Sequence, residues 1–255
     1  MTVARPLIVI VGLALLWQAI AWLADLPPYI LPGPIRVLEA YGAHGLRMLG
    51  HAGITLIEMV LGLLIGALLG ASLALTLAYF RPVRPWLLPI LVASQAVPVF
   101  ALAPILVLWF GYGIASKVVM ASLVIFFPVA AATFDGLRRT DIGWLDLAET
   151  MGASRWRRLR HVQIPAALPA FASGLRVAAA VAPIGAVVGE WVGSSAGLGY
   201  LMLQANGRMQ IDVMFAALLM LAVIGVALYF AVDFGLKRAV PWLGEARAPN
   251  GGPTT

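Results

Sequence analysis

The chain has no cysteine and little charge: of 255 residues, none is Cys and 11% are Asp, Glu, Lys or Arg. The missing cysteine excludes disulfides, thiolate metal sites and cysteine nucleophiles. Histidine is scarce as well. His44, His51 and His161 stand apart, with no His-Glu-x-x-His pattern and no carboxylate at ligand spacing, so they read as surface or packing residues. No phosphate-binding loop is present, since the nearest fragment, Gly113-Ile-Ala-Ser-Lys117, lacks the second glycine. No catalytic residue, metal or cofactor is therefore expected on this chain. The net charge of +6 does not signal nucleic acid, because the arginines gather beside apolar runs without a base-reading motif or aromatic platform.

What the chain has in excess is apolar surface, at 62% of residues against about half in ordinary globular domains. A bilayer core needs about 20 apolar residues of helix. Segments near 7–24, 53–80, 86–110, 115–134, 171–193 and 213–236 supply six crossings, giving an all-α, polytopic membrane protein with a single transmembrane domain over 1–255. Basic residues set the orientation. One set of loops holds Arg5, Arg81, Arg84, the seven arginines from Arg138 to Arg176, Lys237, Arg238 and Arg247, whereas Arg36, Arg47, Lys117 and Arg208 fall on the other side. The positive-inside rule then puts both termini and the loop 135–170 in the cytoplasm. A cleaved secretory signal ending near Ala19-Ile-Ala21 fits less well, because a single arginine precedes an apolar run longer than the roughly 7 to 15 residues of a signal core.

Local punctuation adds detail. Four prolines between residues 26 and 34 predict an external turn, followed by a short amphipathic helix near Ile35 to Leu49 that reads first as a plain connector. Gly62, Gly66 and Gly70, and again Gly185, Gly189 and Gly193, recur at four-residue spacing and predict two faces of close helix packing. Pro89, Pro98 and Pro104 predict a kinked or broken third span. Glu58 and Glu190 are ionisable groups inside apolar runs, where snorkelling or interhelical hydrogen bonding weighs evenly against a functional role. Gln95, Phe100, Glu190 and Trp191 are the candidate translocation-pathway residues, with Gly193 to Gly199 read as a flexible stretch at the outer mouth.

The arginine-rich loop is the most patterned segment. Leu145, Ala148 and Gly152 recur at helical intervals and predict a short amphipathic helix with one small-residue side. Gly152-Ala-Ser154 suits a helix end followed by a new start capped by Ser154. Trp156, Arg157, Arg158 and Arg160 follow, before Pro165 and Pro169 lead into the fifth span.

The spacing from Asp146-Leu-Ala148 through Gly152 to Val162 and Ile164-Pro165 resembles the EAA loop of ATP-binding-cassette (ABC) importer permeases. That pattern is Glu-Ala-Ala, three residues, Gly, nine residues, Ile, one residue, Leu-Pro. Asp146, Leu147, Val162 and Ile164 depart from it while keeping charge or apolar character. Ala101-Leu-Ala-Pro-Ile-Leu-Val-Leu-Trp-Phe-Gly111, Phe127-Pro128 and Gly197-Leu-Gly-Tyr-Leu201 are similar to the sulfonate, nitrate and thiamine-precursor branch, so the resemblance covers almost the whole chain. It implies a type I ABC importer permease (MetI-like) fold of six transmembrane helices in a bacterial cytoplasmic (inner) membrane, acting as a homodimer. It further implies an ATPase dimer that carries ATP and Mg, and a periplasmic or extracellular solute-binding protein. In that family the loop is a coupling helix seated in a cleft of the ATPase. The resemblance carries this role onto Asp146, Leu147, Ala148, Glu149, Met151, Gly152, Ala153, Trp156, Arg157, Val162, Ile164 and Pro165. Residues 187–210 look most like permeases for pyrimidine precursors of thiamine, with taurine, other sulfonates or nitrate as runners-up. A stand-alone secondary transporter is the alternative from another class, and the lack of a deep acidic relay or inverted repeats weighs against it.

Overall fold

The computed structural model describes residues 4–25 and 27–240, without the side chains of residues 4–7, 10 and 94–96. Arg5 as a side chain, Leu26 and Arg247 therefore lie outside the described residues, as does the side chain of Gln95. Every element among the described residues is helical: α1 (Ala4–Leu23), α2 (Pro34–Tyr79), α3 (Arg84–Ala96), α4 (Val99–Phe110), α5 (Ile114–Arg138), α6 (Ile142–Thr150), α7 (Arg155–Arg158), α8 (Ile164–Gly193), α9 (Leu198–Gly207) and α10 (Ile211–Ala239).

Six full crossings are not reproduced one for one. Four helical segments are long and apolar enough to cross a bilayer: Pro34–Tyr79, Ile114–Arg138, Arg155–Gly193 and Ile211–Ala239. The apolar part of α1 is shorter, at Val11–Leu23. The expected third span is broken at Val97-Pro98 into α3 and α4, of 13 and 12 residues. Proline supplies the reason, since Pro98 lacks the amide that would continue the ladder and pushes Val97 into extended backbone. Two helices expected to be separate are instead one. The amphipathic segment from Ile35 runs without a break into the next span as a 46-residue helix opened by Pro34. Gly50 and Gly53 weaken that junction, at about 1 kcal/mol each, while Val37, Ala40, Met48 and Ala52 near it are buried in one core with residues of α9 and α10.

Helix α5 is the hub, clasped between α2 and α8. The two glycine series make the clasp possible within one subunit. A methyl group at Gly66 or Gly70 would come within 2.8 or 2.7 Å of the backbone oxygens of Ser122 and Phe126 on α5, and one at Gly185 within 2.7 Å of the Ala121 Cα. Gly189 lies against Lys117 of α5, whereas Gly193 meets Val107 of α4. Lipid tails give helices no hydrophobic reason to associate, so such backbone approach carries the packing. Gly70→Ala should therefore cost about 2 kcal/mol by overpacking. Thermal unfolding of the purified protein checks this, and an unchanged midpoint would show that α2 can slide.

Candidate functional site

At one end of the bundle, α6 projects after a short turn from α5. Asp141 caps it, accepting from Gly143 N at 2.7 Å. Its far end closes with paired bonds, Gly152 N to Glu149 O (2.9 Å) and Ala153 N to Ala148 O (2.9 Å), which is the Schellman arrangement. It requires left-handed backbone at Gly152, where φ is +77°. Ser154 then accepts from Arg157 N and starts α7, which passes through a π-helical turn at Leu159–Gln163 into α8 without a break. Arg158 pairs with Glu149 across the turn.

The face α6 offers is not the small one that Leu145, Ala148 and Gly152 predict. Leu145 and Ala148 are half-buried toward the body, and Gly152 ends the helix instead of extending that stripe. The outward stripe is bulky: Trp144, Leu147 and Met151 are 58%, 61% and 79% exposed, with Ile142 and Trp156 also exposed. Asp146, Glu149, Ala153 and Arg157 flank it, none of them buried, while Val162, Ile164 and Pro165 are half-buried at the start of α8. No residue of α6 is fully buried, and the fold itself makes no use of the outward Trp144, Leu147 and Met151.

The opposite end holds a polar knot that sequence reasoning saw only in part. Glu58 and Glu190 are both 1% exposed, and their carboxyls lie against each other. Glu190 Oε1 accepts from Thr55 Oγ1 at 2.6 Å, and its Oε2 accepts from the amides of Gly199 and Tyr200. Thr55 Oγ1 in turn accepts from Leu198 N at 2.8 Å, and His51 Nδ1 accepts from Gly197 N at 3.0 Å. All four free amides at the start of α9 are thus capped from α2 and α8, with the Glu190 oxygens placed at the positive end of the helix dipole. Gly197 permits the approach, because at φ +110° a Cβ there would fall 2.2 Å from the Glu190 carboxyl carbon. Lys117, 3% exposed, is a third ionisable group buried near this end and donates to Tyr112 O (2.7 Å) and Gly113 O (2.8 Å).

Of the four candidate pathway residues, the three with described side chains are in different surroundings. Glu190 is enclosed with both oxygens engaged, whereas Phe100 and Trp191 are 66% and 51% exposed on the surface of α4 and α8. The stretch expected to be flexible turns into helix at Leu198. Its signal was present in the i, i+3, i+4, i+7 series Leu198, Leu201, Met202 and Ala205, all buried. His51, Thr55 and Lys117 carried no local signal.

Residues 62–244 match the family model "Binding-protein-dependent transport system inner membrane component". The chain is 56% identical over 92% of its length, and 96% of the relative's, to a protein of Haemophilus influenzae named "Probable ABC transporter permease protein". It is 36% identical to a formylaminopyrimidine transport permease protein of Halalkalibacterium halodurans, covering 93% of this chain and 95% of the relative. A riboflavin transport system permease protein of Chloroflexus aurantiacus is 40% identical, over 90% of this chain and 87% of the relative. Among solved structures, an inward-facing methionine ABC transporter chain superposes with a TM-score of 0.59 at 21% identity, over 76% of this chain and 94% of that one, which speaks to the fold alone.

Proposed function

Because the chain belongs to the inner membrane components of binding-protein-dependent transport systems, and is a non-catalytic permease subunit of an ABC importer, we propose that it imports a small pyrimidine precursor of thiamine. The observation that carries this reading is the end-to-end likeness to the formylaminopyrimidine permease. The riboflavin permease supports the same chemistry, since riboflavin also contains a fused pyrimidine ring. Taurine or another sulfonate is the second reading, favoured by 31% identity to the taurine permease of Escherichia coli over 91% of this chain.

In this reading two copies pair about the pathway, with Phe100, Trp191 and the exposed face of α4 as candidates for its lining, and Gln95 beside them in sequence. The end bearing α6 faces the cytoplasm, a placement that the arginine asymmetry supports. There Trp144, Leu147 and Met151 enter a cleft of a partner ATPase dimer, whose closure drives the bundle from inward-open to outward-open. The ATPase supplies the ATP and Mg chemistry. The capped end faces the binding protein that delivers solute.

Proteoliposomes holding this chain with its ATPase and binding protein test the solute. Uptake of labelled formylaminopyrimidine, at least tenfold over taurine, is expected. Uptake of taurine instead would establish the second reading, and uptake without any ATPase would overturn the importer mechanism proposed here.

A further inference from the structure

Beneath the turn that joins α2 to α3 lies a mostly polar cavity of about 180 Å³, with room well beyond a single water. Arg81, Arg84, Arg155 and Arg158 line it together with Gln163, Ala78 and Leu145. They come from two regions some seventy residues apart in sequence, so the fold gathers them; loop composition alone does not. Among the described residues the only acid paired to this group is Glu149, which holds Arg158 from the exposed side. Arg84 is fixed in place, donating to Leu77 O and Ala78 O and lying 5.6 Å from the centre of the Phe134 ring. Arg155 lies 5.2 Å from the centre of the Tyr79 ring. Burial, then the charges of Arg81, Arg138 and Arg155, lower the pKa of Arg84. Among the described residues, then, four arginines lining one cavity are met by a single acid.

We propose that this cavity is a binding site for the phosphate of an anionic phospholipid. Guanidinium groups match phosphate oxygens bidentately, and basic pockets between membrane helices take anionic headgroups. The lipid source is favoured over free phosphate by the cavity's position. Two of its arginines, Arg81 and Arg84, sit where α2 ends and α3 begins, and their sequence neighbours Phe80 and Trp86 are 51% and 77% exposed, as aromatic residues are at a membrane interface. The site rests on the membrane placement of these helices and on no assignment of solute or ATPase.

The full chain, purified in detergent, is titrated with phosphatidylglycerol, phosphatidylcholine or inorganic phosphate, while thermal unfolding and native mass spectrometry report binding. Phosphatidylglycerol alone should stabilise and be retained. Arg81→Gln and Arg155→Gln should each weaken it about fivefold, and Arg157→Gln, which lies on the same helix but does not line the cavity, should not. Equal protection by inorganic phosphate would make this a free-anion site. Equal loss in Arg157→Gln would reduce it to diffuse surface charge. Unchanged retention in the Arg81/Arg155 double variant, whether or not that variant loses a protein partner, would refute the lipid site.

Discussion

Glu190→Leu is expected to unseat helix α9 and to be the most destabilising single change away from the packed glycines. The Glu190 carboxyl accepts from Thr55 Oγ1 and the Gly199 amide, both buried, and from the part-buried amide of Tyr200. Leucine fills similar volume but accepts nothing, so donors are left buried without partners. Each such orphan costs about 1 to 3 kcal/mol, and the total is on the order of 4 kcal/mol. Glu190→Gln keeps one oxygen for the two amides and should lose about 1 kcal/mol. Thermal unfolding and proteolysis between Ser194 and Gly197 measure both. A Leu variant as stable and protease-resistant as the parent would show that α9 is held by its apolar side alone.

Gly152→Val is the second large effect, and it is expected in coupling with stability little changed. A Cβ at Gly152 would meet nothing within 4 Å among the described residues, so space is not what opposes a substitution here. Conformation is opposed, because the φ of +77° that closes α6 is costly for a β-branched residue, and Asn tolerates it better. Losing this closure re-aims Met151 and the turn to Ser154. Solute moved per ATP hydrolysed in proteoliposomes should fall at least tenfold for Val and clearly less for Asn, in the order of left-handed tolerance. Equal loss in both would mean that the partner reads the size of residue 152 and not the shape of the turn.

The helical, membrane-spanning character was legible because apolar run length and proline are local signals. The break at Val97-Pro98 was legible for the same reason. The fusion of the Ile35 segment into α2 was not, because its glycines suggest a boundary that distant packing removes. The loop's register was readable, yet the side facing outward was not. Residues 145, 148 and 152 and residues 144, 147 and 151 make equally good helical stripes, and only the body of the protein decides between them. The cap of α9 lay further from reach. Thr55 and His51 stand some 140 residues before the amides they accept from, and nothing near them in sequence announces that meeting.

The uninterrupted run from Arg155 to Gly193 has a mechanical consequence. Thirty-nine residues of continuous helix make a rod about 58 Å long. One end is rooted beside the α6 turn, and the other carries Glu190 and, through it, the start of α9. A lever of this length turns a tilt of about 10° into a swing of about 10 Å at the far tip. The π-helical turn at Leu159–Gln163 and the prolines at 169 and 183 mark where the rod can flex. Stiffening one of these points, by Pro183→Ala for instance, would alter the stroke while leaving both ends chemically intact.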